Sequence, residues 1–195
     1  MDFKTSQSII LASASPRRKE LLASANINFS VEIPRCDESV LQGEGPREMV
    51  LRLSMLKAQA VAQQHQESWV LAADTTVYIN NEILGKPADA QEAFEMLKKI
   101  SGQKHEVWGG IALVSLDRKI AINEAHSTRV LMRELTDNEI KNFISTGEPM
   151  DKAGAYAIQG IGAGLVSEIE GSYTNVVGLN LSAVIELLKK NNVLQ

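Results

Sequence analysis

The chain has 195 residues, with 24 acidic against 20 basic side chains, a formal net charge of −4 and a pI near 5.5. That length suits one domain over residues 1–195, or two small lobes on one core, and a chain of this size buries roughly 70% of its unfolded surface without covalent staples. The mildly acidic balance argues against gripping a nucleic-acid polymer. A single cysteine rules out a disulfide framework and fits a cytoplasmic protein, and no apolar run approaches the roughly 18 residues of a membrane span or forms a signal peptide.

Ile9, Ile10 and Leu11 predict a buried strand that stops at Ser13-Ala14-Ser15. A helix then starts at Pro16, with Ser15 as a good N-cap and proline at home in the first helical position. Arg17, Arg18 and Lys19 place three cations against the positive end of the helix dipole, each unfavourable by roughly 0.3–1 kcal/mol. The placement makes sense if an anion sits among them, since helix N–H groups and two arginines together bind phosphate well. A solvated basic turn is the alternative, and local physics leaves both open.

Residues 28–33 read as a strand and 34–45 as a polar loop. A helix follows from Pro46 to about His65, with Met49, Leu53, Leu56 and Ala60 on one face and Lys57 in the adjoining row beside Val50 and Val61. Residues 69–79 form a long apolar run broken by Asp74, and Asn80-Asn81 is a plausible turn into Ile83-Leu84. Residues 88–100 are helical and closed by Gly102. Strands over 106–115 and 119–133 hinge at Asp117-Arg118, and Thr136 with Glu139 forms a capping box for a helix ending before Gly147. Strands around 155–158 and 165–169 and a helix over 181–191 complete an α/β domain with a mixed sheet.

Asp74 is the sharpest single residue. A carboxylate amid WVLAA and VYI is unfavourable unless paired or solvated, so it reads as a functional acid or as a strand-ending Asp bonded to backbone N–H groups. Glu38, after Asp37 in a loop, reads as a solvated acid on pattern alone, and Lys57 and Lys86 as ordinary lysines. Arg17, Arg18, Lys57, Lys86 and Lys152 supply positive charge suited to a small polyanion. The run Gly160-Ile161-Gly162-Ala163-Gly164 lacks the following helix that a dinucleotide loop requires. His65, His105 and His126 have no metal-ligand spacing, and Cys36 has no histidine near it in sequence.

The stretch SPRRKELL, with Asp37-Glu38, Lys57-Ala58, Ala73-Asp74-Thr75, Leu84-Gly85-Lys86-Pro87, the run from Asp151 to Gly160 and Gly171-Ser172-Tyr173, resembles in order the Maf family of nucleoside triphosphate pyrophosphatases. The resemblance implies a strongly twisted mixed sheet flanked by helices, with two lobes around a nucleotide cleft, as in inosine-triphosphatase-like folds. It makes Asp74 the catalytic base and puts Ser13, Ser15, Arg18, Lys57 and Lys86 on phosphates. Glu38, with Asp74, falls near a divalent cation, Mg²⁺ or Mn²⁺, which the repulsion between carboxylates and a triphosphate also demands. Arg17, Thr75 and Gln159 fall on the three positions that separate dTTP/UTP enzymes from 7-methyl-GTP enzymes. A homodimer acting on a small nucleotide, with house-cleaning of the nucleotide pool as its role, is the family expectation.

Two departures stand out: Leu56 where a glutamate often precedes the lysine, and Asn180 where a proline is usual, which is expected to loosen the start of the last helix. Two other readings are a nucleotide-binding regulator of cell division, since some of the family are described as septum-formation inhibitors, and a 7-methyl-GTP pyrophosphatase of the sister subgroup. The pair Asp74 and Glu38 favours catalysis over sensing, because extra negative charge only weakens triphosphate binding. The amide of Gln159 favours a uracil or thymine edge, which offers O4 and N3–H side by side.

Overall fold

A computed structural model describes residues 3, 5 and 7–195. Strand β1 (Ile9–Ala12) is buried at all of its positions. Successive side chains leave opposite faces of a strand, so a strand buried throughout needs cover on both sides. The apolar clusters show that cover. Ile9 and Leu11 join Trp69, Leu71 and Ala73 of β3 (Trp69–Ile79) in one cluster, which also holds Leu22 of α1 (Pro16–Ser24) and Val184, Leu187 and Leu188 of α6 (Leu181–Lys190). Ile10 and Ala12 join Val70 and Ala72 in the opposite cluster, which holds Ala58, Val61 and Ala62 of α2 (Pro46–Ala62).

The remaining strands are β2 (Ser30–Glu32), β4 (Glu82–Leu84), β5 (Lys104–Ser115), β6 (Ile120–Met132) and β7 (Val166–Glu170). Together they form a seven-stranded sheet in the order β2-β1-β3-β5-β6-β7, with β4 beside β3. β1 runs parallel to β2 and β3, whereas the β3–β4 and β6–β7 pairs are antiparallel, so the sheet is mixed. The turn between β3 and β4 is made by Asn80 and Asn81 at φ 51° and 63°, the two left-handed residues a tight two-residue hairpin requires.

The chain divides into two compact units. The first holds the residues up to Asp74, Gly109–His126 and Gly178–Gln195, with the two clusters just described. In it α2 lies tight on β5 at Gly110, where a Cβ would stand 2.5 Å from the Val50 carbonyl carbon. Asn123 of β6 clips the same helix, its Nδ2 donating to the Leu51 carbonyl at 2.7 Å. The second unit comprises Thr75–Trp108 and Ser127–Val177. Its core joins α3 (Ala90–Ile100) and α4 (Asp137–Ser145) to Val77, Val107, Val130 and Tyr156. Thr136 and Glu139 form the capping box expected for α4.

Two local expectations are corrected. No strand spans 155–158: Gly154 and Ala155 both take left-handed backbone, φ 66° and 58°, and short 3-10 turns occupy Ala153–Ala155 and Gly160–Leu165. Apolar side chains there are buried by the turns' tertiary packing, which alternation alone cannot distinguish from a strand. A short helix, α5 (Tyr173–Val177), lies between β7 and α6. Asn180 does not loosen α6 but caps it, its side chain accepting from Ala183 N–H at 3.4 Å. Among the described residues no helix is long and apolar enough to cross a membrane.

Candidate active site

The first unit gathers most of the expected residues. Ser13, directly after β1, is buried, and its Oγ accepts from the Ser15 N–H at 3.2 Å and from Arg18 Nη1 at 3.4 Å. Arg18 Nε donates to the Gly178 carbonyl at 2.8 Å. Burial works against the Arg18 charge, while the nearby carboxylate of Asp74 and, more weakly, that of Glu38 favour it. Ser15 takes the N-cap position of α1, but its hydroxyl makes no cap bond, so its side chain is not used as the sequence suggested. Arg17 is half-buried.

Asp74 sits in the middle of β3, not at a strand end. Its parity with Val70 and Ala72 aims it at the face covered by α2, and there it meets Lys57. Lys57 Nζ lies 2.7 Å from Asp74 Oδ1 and 2.6 Å from Glu38 Oε2. The Lys57 and Asp74 side chains are only 7% and 9% exposed, whereas Glu38 is 52% exposed. The buried carboxylate that looked unfavourable is thus paired, and Lys57 is more than an ordinary surface lysine. Removing Lys57 would cost about 3–5 kcal/mol, since the buried Asp74 carboxylate would be left uncompensated, whereas Lys57 keeps Glu38 if Asp74 is removed.

Glu38 is held in the loop before α2 by contacts that no sequence pattern signals. Arg52, one turn and a half upstream of Lys57, makes a two-pronged pair with Glu44, both bonds at 2.6 Å, and donates to the Ser39 carbonyl at 3.1 Å. The guanidinium holds the Glu44 carboxyl below the usual carboxylate range. Asp37 is engaged within its own loop, accepting from the Ser39 N–H at 2.9 Å. Cys36 lies nearby, and burial, then Glu38, raises its thiol pKa, so it stays a thiol at neutral pH.

In the second unit, Thr75 follows Asp74 and is half-buried, Lys86 is exposed, and Gln159 is half-buried. The segments bearing the last two are joined, because the Gly154 N–H donates to the Gly85 carbonyl at 2.9 Å. Lys152, grouped with the basic residues by sequence, donates to the Glu148 carbonyl at 3.1 Å and also pairs with Asp151. Ser172 is structural, accepting through Oγ from the Asn175 N–H at 3.2 Å, while Asn175 Nδ2 donates to the Val107 carbonyl at 3.1 Å.

Among the described residues no group of three or more His, Cys, Asp or Glu side chains is arranged to hold a metal. The two carboxylates on Lys57 are hard oxygen donors, and a pair of acids that leaves further positions to phosphate oxygens and water suits Mg²⁺ or Mn²⁺. Two of the histidines are engaged elsewhere: His105 is buried against Tyr156, Nε2 to Oη 2.6 Å, and His65 pairs with Glu32.

The family model described as "Maf-like protein" matches residues 8–191. The chain is 52% identical over 182 residues to a "dTTP/UTP pyrophosphatase" from Geobacter sp. (strain M21), covering 93% of this chain and 94% of that protein. It is 49% identical over 187 residues to another protein of that name from Geotalea uraniireducens (strain Rf4), with 96% of each covered. The fold is shared with the solved structure of a HAM1 protein from Coxiella burnetii, at a TM-score of 0.56 and 16% identity over 94% of this chain and 99% of that one. A family model spanning nearly the whole length and relatives about half identical end to end place the chain plainly: it belongs to the Maf family.

Proposed function

We propose that this protein is a nucleoside triphosphate pyrophosphatase that hydrolyses dTTP and UTP to the monophosphate and pyrophosphate. One observation carries the mechanism: Asp74 and Glu38 share Lys57 Nζ at 2.7 and 2.6 Å, near an arginine-bearing helix start. Two carboxylates beside a polyanion hinder simple binding and serve hydrolysis. The names carried by relatives about half identical support the substrates, and neither the sensor nor the 7-methyl-GTP reading is favoured.

In this mechanism Asp74 accepts a proton at its carboxylate from the attacking water and aligns that water opposite the leaving pyrophosphate. Lys57 fixes the Asp74 rotamer and, with Ser13, Ser15, Arg18 and Lys86, contacts phosphate oxygens. Arg17, Thr75 and Gln159 select the base. Glu38 and Asp74 hold a divalent cation, which when bound offsets phosphate charge and polarises the scissile anhydride. A homodimer in the cytoplasm is the accompanying expectation from the family, measurable by sedimentation.

The test is a panel of nucleotides incubated with Mg²⁺ or Mn²⁺ while pyrophosphate is assayed. Release of equimolar pyrophosphate and monophosphate from dTTP and UTP is expected, with 7-methyl-GTP poor. Release of inorganic phosphate instead, or a preference for 7-methyl-GTP, overturns the reading.

A further inference from the structure

We infer that Glu148 is a positioning residue for base recognition, its carboxylate shaping the glycine-rich turn that follows Gln159; this rests on the proposed role of Gln159 in reading the pyrimidine. Glu148 opens the 3-10 turn after α4 and is half-buried. Its Oε2 accepts from the Ile161 N–H at 3.0 Å and its Oε1 from the Gly162 N–H at 2.9 Å. Successive N–H groups converging in this way form a concave anion seat, and here the chain fills the seat with its own carboxylate. The backbone is built around that group: Gly160 sits at φ 65°, and a Cβ there would stand 2.7 Å from Glu148 Oε2. The glycines that resembled a nucleotide loop therefore serve an internal acid.

The other side of Gln159 is anchored too. The Tyr156 hydroxyl is bonded to His105 at 2.6 Å, and both residues are buried. Glu148 is itself fixed, its N–H donating to Thr146 Oγ1 at 3.2 Å and its carbonyl accepting from Lys152 Nζ at 3.1 Å. Gln159 thus lies between a buried aromatic anchor and a two-pronged carboxylate clamp. The clamp begins two residues beyond it, so the backbone of the reading residue inherits its position. Both carboxylate oxygens of Glu148 are engaged by backbone N–H groups of the turn.

The experiment is a double-mutant cycle with UTP as substrate, using Glu148→Ala, Gln159→Leu and the pair together. Glu148→Ala is expected to raise the Michaelis constant for UTP about tenfold and to leave turnover within about threefold. The inhibition constant of inorganic pyrophosphate, which has no base to read, stays unchanged. In the Gln159→Leu background the same substitution adds no further loss. Glu148→Gln keeps one acceptor oxygen and the side-chain shape; it recovers part of the affinity, and carries the same cycle if the alanine variant fails to fold. Losses that multiply in the pair, or a parallel rise in the pyrophosphate inhibition constant, overturn the inference. If Gln159→Leu alone leaves UTP kinetics unchanged, the pyrimidine reading fails and takes this inference with it.

Discussion

Asp74 and His105 are both buried polar residues, and they are stabilised in opposite ways. Asp74 keeps its place through Lys57, whose second carboxylate partner, Glu38, remains when Asp74 is altered. Asp74→Asn should therefore fold, retain nucleotide binding through Glu38 and the basic side chains, and lose about 10²–10⁴ in turnover, as expected for a missing general base. Steady-state kinetics beside a nucleotide-binding measurement check this, and near wild-type turnover removes Asp74 from the base role. His105 has no acid to hold a proton on it, and burial lowers its pKa from 6.5 to about 4. The folded state then binds fewer protons than the unfolded one, so stability is full above about pH 6.5 and falls as the pH drops toward 4. The loss approaches ~3 kcal/mol at the acid end, because a tenfold change in proton affinity corresponds to about 1.4 kcal/mol. Urea midpoints between pH 7 and 4.5 read it, and His105→Gln should flatten that slope relative to wild type.

At the scale of elements, the placement of Lys57 and Glu38 depends on how α2 and the loop before it are held. Gly110 lets the helix press on β5, and Asn123 clips it from β6. Arg52 ties the helix to the loop through Glu44 and Ser39. A charge-assisted hydrogen bond contributes roughly 1.5–3 kcal/mol, so Arg52→Ala should loosen the loop and lower kcat/KM about tenfold while the fold survives. Limited proteolysis is expected to cut the variant faster within 36–44. Arg52→Lys should not restore the wild-type rate of cleavage, because a single ammonium cannot reproduce the planar two-pronged contact. Equal proteolysis of Arg52→Ala and wild type counts against this role.

For the whole molecule, a ligand that binds only the folded state raises its stability by an amount set by concentration over Kd. A non-hydrolysable UTP analogue with Mg²⁺ at one hundred times its Kd should add about 2.7 kcal/mol, a rise of roughly 5–10 °C in Tm for a chain of this size. Chelation of the cation should abolish hydrolysis and most of that shift, and added Mn²⁺ or Mg²⁺ should restore both. A full shift and full activity in excess chelator contradict the divalent-cation assignment. Uridine, lacking phosphates, should give little of the shift, since the basic side chains named for the site address the triphosphate.

Much of this was legible from residues alone. The strand 69–79, the Asn80-Asn81 turn, the capping box at Thr136 and the proline-initiated helices follow from rules that act over a few residues, and all appear where expected. Asp74 declared itself because a carboxylate inside an apolar run needs a partner. The identity of that partner was not readable: Lys57 is 17 residues away in sequence and looks like any helical lysine until strand parity and the α2 packing bring it within 2.7 Å. The same holds for Arg52 with Glu44 and for Glu148 with the N–H groups of residues 161 and 162. The run 155–158 misled because burial of a turn by its surroundings looks like burial of a strand, and only the left-handed backbone at Gly154 and Ala155 separates them. Sequence by itself determined the local elements and the residue types available for chemistry. Tertiary structure alone decided which charges meet, because burial and distance between segments far apart in the chain are properties of the packed whole.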